Sequence, residues 1–120
     1  MRRDMDLVRS ILMCTADASG PLDGKVLTDS TYDLRTIGYH VDIMAEAHLI
    51  KAHTSKFMDG NYEIVVVDSL TWEGNDFLDA VANEGVWSQV KKKVGQTLGT
   101  VSFEVLKSLA VQVSMQMLLQ

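Results

Sequence analysis

The chain has few residues that can cross-link a fold or interrupt its helices. Among its 120 residues there is one proline, Pro21, and one cysteine, Cys14. A single cysteine excludes an intrachain disulfide and fits a reducing compartment, so we expect a cytoplasmic protein. The scarcity of proline favours helices, because proline removes a backbone donor and disrupts helix interiors.

Long apolar runs are also missing. No stretch of about 18 apolar residues occurs, which argues against a membrane-spanning helix. Charges at Arg2, Arg3, Asp4 and Asp6 interrupt any signal-peptide core near the N-terminus. Hydrophobic residues make up 47% of the chain and charged residues 22%, proportions that are ordinary for a globular domain. We therefore expect one compact domain overall, with no membrane partner.

Catalytic motifs are absent. The chain has no Gly-rich phosphate loop, no Gly-x-Ser-x-Gly and no Cys–His pair of recognisable spacing. A metal site built on His40 is disfavoured, because Asp42 and Glu46 share a different helix face and no third ligand lies nearby. We therefore predict that the protein is not an enzyme and that it has no metal site and no cofactor.

Excess positive charge is missing too. The formal net charge is −5. Residues 1–70 carry seven Lys/Arg against eleven Asp/Glu (−4), and residues 71–120 carry four against five (−1). No general attraction to nucleic acid or to an anionic membrane follows from this balance, although a local basic face stays open.

What the sequence does contain is helical periodicity in its first half. Apolar residues recur at helical spacing over Asp4–Ala16, with Asp4 as the N-cap. A short strand is predicted at Lys25–Leu27. Asp33 is the expected N-cap of a second helix, whose apolar face is formed by residues 37, 41 and 44 and which ends near Ala47.

A β-hairpin follows directly. Asp59-Gly60-Asn61 is the strongest hairpin signal in the chain, and it lies between an extended segment that begins at Leu49 and the β-branched run Tyr62–Val67. That run is apolar enough to be buried on both faces. The sequence predicts an antiparallel hairpin over residues 49–67.

The second half is helical. Thr71 can cap a third helix, which Gly85 is expected to interrupt, and Trp72 and Trp87 are expected in the core or at an interface. Further breaks are expected at Gly95 and Gly99. A final helix, Val101–Leu119, is apolar around most of its circumference, so it either lies across the core or packs against a second copy. We predict a homodimer in which the contact stripe is Leu106, Leu109, Val113 and Met117.

The order helix, short strand, helix, hairpin and further helices is that of a winged helix. The predicted fold class is α+β and mostly helical, a winged helix-turn-helix-like domain with a β-hairpin wing and C-terminal helices. Residues 1–70 would form the winged-helix part, and residues 71–120 would pack on it or mediate dimerisation. The segment Leu27–Tyr32 is too short for the full helix that normally precedes a recognition helix.

Three segments carry a resemblance to a known family. The string His40–Ile50 resembles the recognition helix and first wing strand of small winged-helix repressors, with His48 where their pattern has glycine. The N-terminal residues 1–9, the Leu-Thr-Trp-x-Gly-x-x-Phe-Leu string at Leu70–Leu78, and Trp87 before a lysine run resemble the phage and bacterial family "domain of unknown function 2513". The resemblance covers nearly the whole chain. It implies a winged-helix fold and often a mobile-element origin, but no established activity and no catalytic residues.

Two functions follow from this fold. The first is a phage or mobile-element DNA-binding transcriptional regulator, in which the second helix reads bases and the wing contacts phosphates. Against it, the helix Asp33–Ala47 carries a net charge of −2. The alternative is a protein-binding module, such as a phage-encoded inhibitor of a host or defence protein. The candidate contact residues are Arg35, Thr36, Tyr39, Lys51, Lys56, Lys91, Lys92 and Lys93, with Arg2, Arg3 and Arg9 in support.

Overall fold

The structure, a computed structural model, describes residues 1–98 and 100–119. The described part contains five α-helices and a three-stranded antiparallel sheet, which confirms the predicted α+β, mostly helical class. The α-helices are α1 (Met5–Asp17), α2 (Leu34–Glu46), α3 (Trp72–Val81), α4 (Glu84–Val94) and α5 (Phe103–Leu118). The strands are β1 (Leu22–Asp23), β2 (Ile50–Lys56) and β3 (Tyr62–Leu70), and 3-10 helices occupy Gly24–Leu27 and Gly95–Thr97. The break predicted at Gly99 lies outside the described residues.

The hairpin of β2 and β3, Ile50–Leu70, is the wing. The strand order of the sheet is β1-β3-β2, so β3 is the central strand and β2 is an edge strand. At the tip of the wing Gly60 has a φ of 88°, and its N–H donates to the carbonyl of Phe57 at 3.0 Å. The carboxylate of Asp59 accepts the N–H of Asn61 at 2.9 Å. The hairpin and its turn are therefore confirmed where the sequence predicts them.

One face of β3 is open to solvent, so the prediction that this strand is buried on both faces is wrong. Val65 and Val67 are buried, whereas Ile64 is exposed and Val66 is half-buried. Because the helices cover the face that carries Val65 and Val67, the opposite face contacts water.

The strand predicted at Lys25–Leu27 is also wrong. These residues belong to the 3-10 helix Gly24–Leu27, and the short strand is Leu22–Asp23. The Asp23 carboxylate accepts the N–H of Lys25 at 3.0 Å. This local hydrogen bond turns the chain out of the sheet immediately after β1.

The boundary between α3 and α4 lies at Ala82 and Asn83, not at the predicted Gly85. The Asn83 side chain accepts the N–H of Val86 at 3.0 Å and caps α4. Asparagine is a strong N-cap, whereas a single glycine costs a helix interior only about 1 kcal/mol. The cap therefore determines the boundary, and Gly85 lies in the first turn of α4.

The C-terminal end of α2 is a Schellman motif, as the glycine-like position of His48 suggested. His48 has a φ of 62° and is the only non-glycine residue with positive φ in the described part of the chain. Its N–H donates to the carbonyl of Ala45, and the N–H of Leu49 donates to Met44, each at 3.0 Å. This is the hydrogen-bond pair that defines the motif, and it directs the chain from α2 into the wing.

Replacing His48 by glycine should raise the free energy of unfolding by about 1 kcal/mol. A residue with a β-carbon pays about 1–2 kcal/mol in the left-handed region, and the larger backbone entropy of glycine offsets part of that gain. Chemical denaturation of the two proteins tests this. His48→Ala, which keeps the strained β-carbon, is the control and should bring no gain; equal stabilisation by both changes would contradict the explanation.

One face of α5 lies across the core. Leu106, Ala110 and Val113 are buried in the same hydrophobic cluster as residues from the other four helices and from the wing. The opposite face of α5 is exposed. Within residues 1–98 and 100–119, no helix is both long and apolar enough to cross a membrane.

Candidate nucleic-acid interface

The outward row of α2 is the centre of the candidate interface. Arg35, Tyr39, Asp42 and Glu46 follow one another at i, i+4, i+7 and i+11, so they lie along one helix face. Arg35 and Glu46 are exposed, and the other two are half-buried. The predicted inward face of α2 is confirmed, since residues 37, 41 and 44 are buried.

The acidic residue in the middle of this row is bound to the wing. The Asp42 carboxylate accepts the hydroxyl of Thr54 at 2.8 Å and, on its other oxygen, the hydroxyl of Tyr62. Burial and this hydrogen bond raise the pKa of Tyr62 above its ordinary value, so the phenol stays protonated and remains a donor. Two of the carboxylate's acceptor positions are therefore used inside the protein, and the charge of Asp42 is directed toward the wing.

Gly38 allows the wing to approach this closely. A β-carbon at Gly38 would lie 2.7 Å from the ring atoms of Tyr62, inside van der Waals contact. Any larger residue would push the Tyr62 ring away from α2. The contact between α2 and the wing thus depends on a glycine whose role the sequence alone did not reveal.

The two wing lysines lie on different faces. Lys56 Nζ is 4.8 Å from the centroid of the Tyr62 ring, a cation–π distance, so Lys56 is on the α2 side of the wing. Side chains alternate along a strand, which places Lys51 on the opposite face together with His53. His53 Nδ1 is 3.1 Å from the carboxylate of Asp68 there. The structure brings Lys56 to α2 but not Lys51.

The start of α2 is fixed by its cap. Asp33 accepts both the N–H and the hydroxyl of Thr36, each at 2.8 Å. The backbone hydrogen bond from Thr36, assisted by its hydroxyl, holds the pKa of Asp33 below its usual range. The predicted cap is confirmed, and the Thr36 hydroxyl already has an acceptor within the protein.

A buried histidine anchors the rear of α2. His40 Nε2 accepts the backbone N–H of Asp4 at 2.8 Å, and Nδ1 is 2.8 Å from the carbonyl of Thr36. These partners assign the neutral tautomer with its proton on Nδ1. Asp4 also accepts the hydroxyl of Tyr32 at 2.7 Å, a bond that raises the pKa of Tyr32 to about 12. The predicted cap of α1 therefore also positions α2.

The basic residues outside α2 and the wing are dispersed. Arg9 is buried and donates to main-chain carbonyls at the end of α3, so it is not available to phosphates. Lys91 donates to Asp6 at 3.1 Å, whereas Lys92 and Lys93 are exposed on α4. Burial favours a raised pKa for Asp6, but hydrogen bonds from Trp87 and Lys91 outweigh it and lower that pKa. These lysines are on α4, a separate element from α2 and the wing.

In the described ranges, no group of three or more His, Cys, Asp or Glu residues is placed to hold a metal ion. His40 is internal, His48 ends α2 and His53 is on the outer face of the wing.

The exposed apolar groups differ from the stripe predicted on the last helix. Leu106 and Val113 contact the chain's own core, Leu109 is half-buried, and Met117 is exposed. The open face is formed instead by Val111, Met115, Leu118 and Leu119. Helical periodicity could not separate the two faces, because the helix is apolar nearly all round.

The two tryptophans have different surroundings. Trp87 is buried, and its indole N–H donates to Asp6 at 2.8 Å. Trp72, the first residue of α3, has 81% of its surface exposed. The sequence predicted core or interface positions for both, and the structure places only Trp87 in the core.

Comparison with known proteins identifies the family and supports the fold. A protein described as uncharacterised, from Haemophilus influenzae, is 30% identical over 120 residues, covering 98% of this chain and 99% of that one. A crystal structure from Thermoplasma acidophilum, provisionally described as a transcriptional regulator, is similar in fold with a TM-score of 0.50 and 19% identity, covering 82% of this chain and 95% of the other. The family model described as "Hypothetical protein (DUF2513)" matches residues 2–101. The chain therefore belongs to the DUF2513 family.

Proposed function

We propose that the protein is a binding protein rather than an enzyme, and that it is a winged-helix transcriptional regulator that contacts duplex DNA. The observation that carries this proposal is the docking of the wing on α2 through Asp42. This contact leaves Arg35, Tyr39 and Lys56 around one outward surface, which we call the Arg35 patch. The fold of the Thermoplasma acidophilum protein supports the proposal. The phage or mobile-element setting stays a prediction.

Each residue of the Arg35 patch has a chemical role in this proposal. Arg35 presents a guanidinium that can donate two parallel hydrogen bonds to guanine or to a phosphate. Tyr39 offers a ring and a hydroxyl to the groove, and Lys56 contributes a cation to the backbone. Thr36 lies at the edge of the patch with its hydroxyl bound to Asp33, so it is a weaker candidate for reading bases.

Affinity is expected to be modest. The chain as a whole carries −5, and Glu46 and Glu63 are exposed close to the proposed contact. Few phosphates can be neutralised by two cations, so most of the electrostatic gain of a typical DNA-binding protein is missing. Binding should be measurable at low salt and should weaken slowly as salt is added.

The Arg35→Ala, Lys56→Ala double variant should weaken duplex binding. Each lost phosphate contact is expected to reduce the slope of log affinity against log salt by about 0.9. Fluorescence anisotropy with a labelled duplex at several salt concentrations measures both quantities. Lys51→Ala, which removes a lysine from the other face of the wing, is the matched control and should change little; an equal loss in the control would contradict the proposed surface.

A protein partner is the second candidate, and the exposed apolar residues favour it. Phe57 and Met58 at the wing tip and Trp72 at the start of α3 are exposed, and large aromatic side chains are typical anchors of protein interfaces. The acidic balance of the chain also suits a basic protein surface better than phosphates. Absence of duplex binding at low salt, with the protein folded, would favour this candidate over the first.

We also propose a homodimer, now through the exposed face of α5. Ser108, Val111, Met115 and Leu118 follow a 3–4 spacing that suits pairing of two helices, and no residue from 108 to 119 is charged. Fully burying a leucine or valine contributes roughly 1.5–3 kcal/mol. A homodimer would present two copies of α2, as in dimeric helix-turn-helix proteins that bind two half-sites.

The mass of the protein in solution tests the dimer. The wild type should sediment as a dimer at high concentration, and Val111→Lys with Met115→Lys should release a folded monomer. Gln112→Lys, a charge on the same exposed helix but beside the apolar seam, is the control and should leave the dimer intact. A monomeric wild type across the whole concentration series would contradict this interface.

A further inference from the structure

The tip of the wing is apolar and uncovered. Met58 is fully exposed and 53% of the surface of Phe57 is exposed, in a turn closed by Gly60 and Asn61. The side chain of Asp59 is folded back, with both carboxylate oxygens bound to Asn61 at 2.9 and 3.0 Å. The groups that project from the tip are therefore a phenyl ring and a flexible thioether chain, at a position where hairpins usually carry polar residues.

The contacts between α2 and the wing follow one another in order along the helix. This order shows which end of α2 is on the side of the wing tip. Leu49, just beyond the C-terminal end of α2, hydrogen-bonds to Thr71 at the base of the wing. Asp42 contacts Thr54 and Tyr62, and the position of Gly38 faces the Tyr62 ring. Following α2 toward its N-terminus therefore leads toward the tip of the wing. The Arg35 end of the helix is on the tip side.

Cations flank the apolar tip. Lys56 immediately precedes Phe57 and lies on the α2 side of the wing, and Arg35 is exposed at the neighbouring end of α2. An apolar pair beside cations complements DNA, in which stacked bases lie between rows of phosphates. Proteins that bend DNA from the minor groove insert side chains such as Phe and Met between base steps in this way.

We propose that the wing tip is a wedge. Met58, with Phe57 behind it, inserts between two stacked base pairs of duplex DNA from the minor groove that lies next to the major groove contacted by α2. This inference rests on the proposed DNA-binding function and adds to it a mode of contact. Insertion unstacks one base step, which is easiest at flexible pyrimidine–purine steps. The protein therefore prefers DNA sequences that contain an easily deformed step, in addition to sequences whose base edges it contacts.

Base unstacking can be detected directly with 2-aminopurine, whose fluorescence is quenched in a stacked duplex. The probes are short duplexes, each with 2-aminopurine at a different pyrimidine–purine step, saturated with protein at low salt. The wild type should give a several-fold rise in fluorescence at one or more steps. Phe57→Ala with Met58→Ala should abolish the rise while the protein still binds DNA and keeps its melting temperature.

The control is Val26→Ala, which removes an exposed apolar side chain from the 3-10 helix Gly24–Leu27, outside the wing tip. It should leave the fluorescence rise unchanged. Wild-type binding measured by anisotropy without any rise in 2-aminopurine fluorescence would overturn the wedge and leave the proposed function intact. Absence of anisotropy change with every duplex would overturn the proposed function, and the wedge with it.

Discussion

Replacing Gly74 by alanine will destabilise the protein by more than about 3 kcal/mol, the largest effect that we expect from any single methyl group in this chain. Gly74 lies in the first turn of α3, against the carbonyl group of Leu49. A β-carbon at this position overlaps the carbonyl oxygen and contacts its carbon. Because both partners are backbone, neither can rotate away as a side chain would, and overpacking of rigid atoms exceeds the usual range of about 1–3 kcal/mol.

Hydrogen bonding also fixes the position of the Leu49 carbonyl group. The Leu49 oxygen accepts the N–H of Thr71 at 3.1 Å, and the Thr71 side chain caps α3 through the N–H of Gly74 at 2.9 Å. Moving α3 outward to accept a methyl group would therefore stretch the hydrogen bonds that join α3 to the wing. The Leu-Thr-x-x-Gly spacing of this segment thus has a packing reason, since the residue three after the cap faces the backbone of Leu49, just before β2.

Thermal and denaturant unfolding measure the loss. Gly20→Ala is the matched control, because a β-carbon at Gly20 meets nothing within 4 Å and the residue does not require positive φ. We expect the control to change stability by less than about 0.5 kcal/mol. A Gly74→Ala protein that unfolds at the same denaturant concentration as the Gly20→Ala protein would show that α3 does not pack against Leu49 as described.

Replacing Arg9 by methionine is expected to cost about 3 kcal/mol. The guanidinium of Arg9 is inside the protein, where Nε donates to the carbonyl of Val81 and Nη2 donates to that of Ala82, each at 2.7 Å. These carbonyls end α3 and have no partner further along that helix. Methionine fills the space of the aliphatic stem but supplies no donor, so buried carbonyl groups lose charge-assisted hydrogen bonds of roughly 1.5–3 kcal/mol each.

The ion pair of Arg9 contributes much less. Nη2 is 3.0 Å from Glu84 Oε1, but 84% of the Glu84 side chain is exposed, so water screens the attraction. Glu84→Gln is therefore the control and should cost less than about 1 kcal/mol, whereas Arg9→Lys should recover only part of the loss because lysine lacks the fork of donors. Urea denaturation of the three variants distinguishes the two contributions; equal losses in Arg9→Met and Glu84→Gln would contradict the capping role.

Local signals in the sequence predict much of this fold. Asp4, Asp33 and Thr71 each cap the helix that they were expected to cap, and the Asp59–Asn61 turn closes the wing at the predicted position. These features depend on a few neighbouring residues, which is why they can be read from one sequence. The strained position of His48 was predictable for the same reason.

Features that depend on distant partners were not predictable. The net charge of −2 on the second helix argued against DNA, but it did not show that Asp42 binds two hydroxyls of the wing. Arg9 was expected to support phosphate contacts, but its partners are 72 and 73 residues away. Similarly, the apolar circumference of the last helix did not show which face would meet the core.

The two candidate functions make different demands on the charge of the Arg35 patch. Arg35 and Lys56 give the patch a formal charge of +2, and the neighbouring Asp42 reduces the local sum to +1, within a chain of −5. A DNA partner has to be held by a few well-placed contacts and by the fit of the wing, since long-range attraction is weak. A protein partner would instead use the exposed apolar residues, including Trp72 at the start of α3, which lies outside the Arg35 patch.

The most direct measurement of the central claim is an NMR titration of the labelled protein with duplex DNA at low salt. We expect backbone signals to shift along the outward row of α2 and over the half of the wing near its tip, including Arg35, Tyr39, Lys56 and Met58, while those of α5 stay in place. Shifts confined to Lys92, Lys93 and α5, or no shifts at any DNA concentration, would contradict it.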